Sequence, residues 1–501
     1  MWLRGVRLLD LTVPPRRRGP RGSGPSTYEY PVVDLHIHDG RIAQVAPAST
    51  WDGTWVMPGL WDRHVHMSEW ARTFHRLDLS STTTPAEALA KVQGAAAPGS
   101  PLLATGTLVG IGLWHSRWEA PFDSPGGPTR ADLDAVTGDL PTVLISGDLH
   151  SAWFNSAAAR RYQLHDRSDA RGSGLVREED WFSRLPDVAG DDDARVDGWV
   201  AEAAAHAAAR GVVGIVDFEF HDTHAAWRRR VEGGFSRLRV GAAVWPEHLD
   251  AAITAGHRTG DALTPEGLIR MGPLKIISDG SLNTRTAWCA DPYPDGSLGA
   301  PNLAEGELRD LMQRAHRGGI RSAIHAIGDR SGSAALRAFR ATGASGSIEH
   351  AQLLRDEDVH AFAELGVTAS VQPAHLLDDR DTAEALWPGR THRAYRFADL
   401  VRAGADLHFG SDAPVAPLDP WLAIRAACTR TADRRPAWHA EQILDRLVAL
   451  RASVAVPSLT ERSPADLVVL DADPLTFPAE DLREIPVRQT LCAGKVTFEN
   501  S

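Results

Sequence analysis

The chain has 501 residues, 43% hydrophobic and 24% charged, an ordinary globular balance that excludes wholesale disorder. That length exceeds one compact core of usual size, so one large domain with additions, or two to three domains, is expected. The formal net charge of −12, with basic residues scattered, excludes the basic face of a nucleic-acid binder and leaves small molecules as the expected partners.

The opening MWLRGVRLLDLTV lacks the pattern of a secretory signal, and no apolar run reaches membrane-spanning length, so a cytoplasmic location without membrane contact is expected. Cys289, Cys428 and Cys492 are odd in number and far apart, which suggests neither a disulfide framework nor a cysteine zinc cluster. VRLLDLTV and PVVDLHIHDGRIAQVAP read as strands, with Asp39-Gly40 as a hairpin turn. Between them PPRRRGPRGSGPS is too rich in Pro, Gly and Arg to bury a core and reads as a flexible loop.

Eight apolar runs of strand length follow: TWVMPGLWDRHVH, GVVGIVDF, RLRVGAAVW, GPLKIISDG, IRSAIHAIG, GSIEHAQ, GVTASVQP and ADLHFGSD. Helical stretches separate them, the βα alternation of a parallel sheet or barrel. A doubly wound sheet competes, but no Gly-rich phosphate loop follows an early strand. Residues 68–205 break the alternation and read as an inserted substrate-pocket subdomain after the first strand. ADLVVLDADP and VRQTLCAGKVTFEN return to strand patterning. The expected fold class is therefore α/β: a (β/α)8 TIM barrel over 56–454, with 1–55 and 455–501 pairing into a small composite β-sandwich.

In a strand, residues i and i+2 face the same side, so His64 and His66 can present two imidazoles to one metal ion at the carboxyl end of the first barrel strand. His36 and His38 share the spacing but lie in the Asp39-Gly40 hairpin, where a solvent face needs no metal. Lys275 stands among apolar residues in PLKIISDG, where an ammonium is costly. It pairs either with a carboxylate such as Asp279, or carries CO2 as a carbamate able to bridge two metals. Only Lys91, Lys275 and Lys495 are lysines among 53 basic residues, and arginine cannot be carbamylated, which favours the second reading. His325 and His350 close two further runs and suit zinc; Asp412 ends the last, as a ligand or as a helix cap.

The ordered series PGLWDRHVH, LKIISDGS, IHAIGD, IEHAQ and FGSDAPV strongly resembles the amidohydrolase superfamily, in the branch that includes N-substituted formamide deformylases. DLHSAWFNSAA, SVQPAH and DGSLNTRTA match it further, so the resemblance covers nearly the whole chain. It implies a metal centre in which His64, His66 and Asp412 hold one ion, His325 and His350 the other, and carbamylated Lys275 bridges them. Two zinc ions are expected, with manganese, iron or cobalt left open. A homodimer is common for such barrels. His150, Trp153 and Asn155 match a segment facing the pocket in that family, although Trp153 reads equally well as plain core packing; Asp279 and Arg285 complete the substrate-binding candidates, Arg285 pairing with a substrate carboxylate or, slightly favoured, with a structural acid such as Asp279. Trp114, His115 and Trp118 form an aromatic cluster that suits either a pocket wall or loop scaffolding. Thr460-Glu461-Arg462-Ser463 replaces a Gly-rich turn with a lysine, so that edge of the sandwich departs from the family. The implied reaction is hydrolysis of a non-peptide C–N bond, with Asp412 as general base and then acid. A deaminase, a lactone or ester hydrolase, and a non-catalytic barrel are the alternatives.

Overall fold

The computed structural model describes residues 1–500 except 13–15, 19–26, 98, 104–105, 116–117, 123, 165–171, 185–187 and 189–191. Its centre is an eight-stranded parallel sheet whose spatial order follows the chain: Leu60–Val65, Val212–Asp217, Arg239–Val244, Ile269–Ile277, Ser322–Ala326, Gly346–His350, Thr368–Val371 and Leu407–Phe409. Each strand coincides with one of the eight apolar runs. The sheet rolls into a nearly closed barrel, and a parallel bridge between Val65 and Ala413 joins the last strand's end to the first. Asp62 reinforces that seam, its Oδ1 accepting from the backbone N–H of His64 at 3.1 Å and of Ser411 at 2.9 Å.

Amphipathic helices cover the outside for the reason their spacing dictates. In Glu305–Arg317 the buried residues Leu308, Met312 and Ala315 recur at helical intervals on one face, while Glu307 reaches back to accept from the Ala304 N–H at 2.9 Å. Asp356–Leu365 ends at Gly366, whose φ of 62° supplies the left-handed cap. Among the described residues no helix is long and apolar enough to cross a membrane.

The two chain ends meet in one seven-stranded sheet. Trp2–Leu8, Val32–His38, Arg41–Pro47 and Trp55–Pro58 come from the N-terminal part; Leu467–Leu470, Val487–Cys492 and Lys495–Glu499 come from the C-terminal part. The seven strands form one continuous hydrogen-bonded sheet, and the turns of its two end hairpins touch: a Cβ on Gly40 would lie 2.9 Å from the Ala493 carbonyl. Thr460–Ser463 forms a turn whose Arg462 N–H donates to Ile42 O at 2.8 Å, so the departing segment still docks on this sheet. Within the stretch read as a loop, Arg16–Arg18 pair antiparallel with Thr27–Glu29; 13–15 and 19–26 lie outside the described residues.

The inserted stretch builds a separate five-stranded sheet of Leu77–Asp78, Leu108–Leu113, Thr142–Ser146, Ser151–Phe154 and Leu175–Arg177. It has its own apolar core around Leu133, Leu144 and Trp153. Helix Asp193–Ala209, placed by sequence mostly inside the insertion, instead packs Val196, Val200, Ala203 and Ala207 into the barrel core. Its apolar residues recur at helical spacing, and that stripe alone does not say which core it meets.

Candidate metal centre

The carboxyl ends of the barrel strands bring the sequence-selected candidates His64, His66, Lys275, His325, His350 and Asp412 to one buried cleft. Strand Leu60–Val65 carries His64 and leads directly into His66, both under 7% exposed. Nδ1 of His64 lies 2.8 Å from Glu349 Oε2, and its other nitrogen, Nε2, is 3.3 Å from both Lys275 Nζ and Asp412 Oδ1. The same Asp412 oxygen lies 3.4 Å from His66 Nε2. Backbone strain sharpens this placement: His350 has φ 69° and Asp412 φ 57°, left-handed values that cost non-glycine residues about 1–3 kcal/mol each. The glycine in FGSD is required here, because a Cβ on Gly410 would lie 2.7 Å from the His64 backbone nitrogen.

The imidazoles crowd together. Ring centres of His325 and His350 are 4.4 Å apart, those of His64 and His350 5.0 Å, and His66 stacks on Phe220 at 4.6 Å. His64, His350 and Asp412 each offer a donor atom within 4.8 Å of the others. Burial and the positive neighbour Lys275 drive the pKa of His64 well down and that of His325 to about 3; burial and His325 do the same to His350. Burial opposes charge on Asp412 too, but the His66 bond holds its carboxyl below the usual range. Lys275 is itself pushed down to about 8 by burial, although Glu349 and Asp412 pull the other way. Nδ1 of His66 and Nδ1 of His350 are buried with no hydrogen-bond partner, a costly condition that a cation accepting their lone pairs would relieve.

The model of the amidohydrolase family matches residues 52–498. The chain belongs to the amidohydrolase family. The amidohydrolase YtcJ of Bacillus subtilis (strain 168) is 25% identical over 489 residues, covering 90% of each chain. An N-substituted formamide deformylase of Arthrobacter pascens is 25% identical over 529 residues, 92% of each. A solved metal-dependent hydrolase from Pyrococcus horikoshii OT3 superposes with a TM-score of 0.73 at 26% identity, over 90% of this chain and 96% of that one. Another, from Pyrococcus furiosus, superposes at 0.72 and 24% over 95% and 99%, a likeness of fold.

In this amidohydrolase the donors open into a cleft lined in part by the insertion. Trp114, Leu149, Phe220, Ile277, Leu282 and Val415 make its walls largely apolar, and His150, Asp148, Asn283 and His375 add polar groups. His150 sits where a pocket residue would, its ring centre 6.3 Å from that of His325. The other substrate-binding candidates do not line this cleft. Trp153 is fully buried in the insertion core, edge-on to Phe122 at 5.1 Å, because alternation along Ser151–Phe154 turns it away from the cleft. Asn155 caps helix Ser156–Arg161: its Oδ1 accepts from the Thr142 and Ala158 N–H groups, and its Nδ2 donates to Thr137 Oγ1 and Leu140 O, which satisfies the whole amide. Asp279 accepts from the backbone N–H of Ile327, Gly328 and Trp288 and so ties the fourth strand's loop to the fifth's. Asp279 Oδ1 also lies 3.7 Å from His325 Nε2, and among the described residues no ion pair joins Asp279 to Lys275. Arg285 is on the outer surface, bonded to Asp295 at 2.9 Å, so its structural partner is Asp295 and not Asp279. Of the aromatic cluster, Trp114 faces the cleft, while Trp118 is buried in the insertion core and His115 Nε2 meets Ser151 Oγ at 3.0 Å.

Three residues that sequence reasoning passed over stand close to the site. Glu349 orients His64. His375 turns a buried, unpartnered Nε2 toward Asp412, 3.9 Å from its Oδ2. Glu178 bonds His150. The first two were embedded in motifs already quoted, IEHAQ and SVQPAH; nothing local marked Glu178.

Proposed function

We propose that this amidohydrolase hydrolyses a non-peptide carbon–nitrogen bond of a small molecule, an N-formyl or N-acyl amine or a cyclic amide, using two divalent ions, best zinc. His64, His66 and Asp412 would hold one, His325 and His350 the other, and Lys275, carbamylated, would lie between them. One observation carries the reading: Lys275 forms no ion pair among the described residues, yet is buried against His64 Nε2 at 3.3 Å and 4.5 Å over the Phe218 ring. A permanent ammonium among imidazoles is costly there. A neutral amine can attack CO2, forming an N–C bond and releasing one proton, and the resulting carboxylate suits cations on both sides.

Such ions, when bound, lower the pKa of a water towards neutrality and polarise a carbonyl oxygen. The chain's own residues do the rest. Asp412 faces His64, His66 and His375 from one strand end, placed to take the proton of the attacking water and return it to the leaving nitrogen. Glu349 holds the His64 ring by its far nitrogen, the arrangement that fixes a ligating histidine's tautomer. The apolar walls around Trp114, Phe220 and Leu282 suit an apolar substituent on the amide, and the name of the Arthrobacter pascens relative supports N-substituted formamides as the first class to test. Amine release from a panel of N-formyl amines, N-acyl amines, lactams and hydantoins tests the reading. Turnover of any of these by zinc-loaded protein supports it; ammonia release from amino-heterocycles alone moves the assignment to deamination.

A further inference from the structure

Another cavity opens at the opposite, amino end of the barrel, and its lining departs from that of an ordinary barrel interior. Bulky branched side chains normally fill such an interior in layers. Here Gly241, Ser347 and Ser370, from the third, sixth and seventh strands, line the space and leave it hollow. Residues i and i+2 of a strand share a face, so Arg321, just before the fifth strand, lies on the face that carries Ala323 and His325 and stands at the mouth. Arg63 of the first strand and His408 of the eighth join it there.

Neither guanidinium is neutralised. Arg63 donates to the Val454 carbonyl at 3.3 Å, its Nε is buried without a hydrogen-bond partner, and it forms no ion pair among the described residues. Arg321 is exposed and likewise forms no ion pair among the described residues. Burial, then the positive charges of Arg63 and Arg321, push the His408 imidazole down to about 4, although Asp406 pulls the other way. The acids nearby are engaged elsewhere: Asp406 Oδ2 lies 3.4 Å from His408 Nε2, and Glu349 is bound by His64 and Ser347. Two guanidinium groups balance a dianion, and their planar forks match the oxygens of a phosphate.

We infer that the amino end of the barrel binds a phosphate group, free or on a small ester, between Arg63 and Arg321, on the face opposite the metal centre. The site is independent of the hydrolytic reading above.

Calorimetric titration of zinc-loaded protein with inorganic phosphate, against chloride at matched ionic strength, tests this in wild type, Arg321→Ala and Arg321→Lys. Arg321→Ala is expected to bind phosphate roughly 10–100-fold more weakly than wild type, the loss of hydrogen bonds from a charged donor, with Arg321→Lys in between. Zinc content is expected to equal that of the wild type in both variants. Phosphate held at the metal centre would titrate alike in all three proteins; that result, or wild-type binding no tighter than that of chloride, overturns the inference. With glycerol 1-phosphate as titrant the same loss in Arg321→Ala is expected; tighter binding than inorganic phosphate assigns the site to an ester, weaker binding to the free ion.

Discussion

Nζ of Lys275 lies 3.3 Å from Nε2 of His64, inside a ring of imidazoles and with no ion-pair partner among the described residues. An amine in that position is tolerable when neutral or modified. Intact-protein mass is therefore expected to show one CO2 adduct in metal-loaded protein, absent from Lys275→Ala. Lys275→Arg keeps the positive charge but cannot be carbamylated, and is expected to be as inactive as the alanine variant. Activity retained in the arginine variant would leave the carbamate without a role.

Glu349 is buried, 2.8 Å from His64 Nδ1, and its other oxygen accepts from Ser347 Oγ. Glu349→Gln retains shape but weakens the hold on the ring. The expected outcome is a roughly 10–100-fold loss of metal affinity or activity, read by zinc competition with a chelator. An unchanged zinc affinity and rate would show that the His64 ring is held by its surroundings alone.

Trp153 and Asn155 are structural by position, so their substitutions should separate stability from catalysis. Trp153→Ala removes a fully buried indole and should cost about 3–5 kcal/mol. Asn155→Ala loses the helix cap and strands buried groups, at about 2–3 kcal/mol. Denaturant unfolding gives the cost; kcat/KM of the folded enzyme is expected to stay within a few-fold of wild type. A selective fall in kcat/KM at unchanged stability would return Trp153 to the cleft wall.

The His150–Glu178 pair predicts a pH signature in stability. Burial opposes charge on both, but their mutual attraction wins, raising His150 from 6.5 to about 9 and lowering Glu178 from 4.5 to about 2. A raised histidine pKa stabilises fully below 6.5 and is lost as pH climbs to about 9. The difference in Tm between wild type and Glu178→Gln should therefore be largest near pH 6 and shrink towards pH 9; a difference that grows with pH contradicts the pairing.

Much of the barrel and of the candidate site was legible because it is written locally. Each barrel strand is a short apolar run, and His64, Lys275, His325, His350 and Asp412 stand on or just beyond strand ends. What stayed hidden is set by tertiary approach. Glu349 stands beside His350 in IEHAQ, and only barrel closure brings it to His64. Glu178 meets His150 across two strands and a loop. The choice between cleft wall and core for Trp153 is likewise settled by tertiary context: the segment that carries His150 continues into a strand, where alternation turns Trp153 into the insertion core, and Asn155 follows as a helix cap. At the chain ends, strand patterning marks which segments are strands but not that all seven join in one sheet.

The most direct measurement is a zinc titration of chelator-stripped protein, following amine release from the best substrate of the N-formyl and N-acyl panel. The expected trace starts near zero, rises with added zinc and breaks at two ions per chain, with Lys275→Ala flat throughout. Full activity in metal-free protein would contradict the proposed function outright.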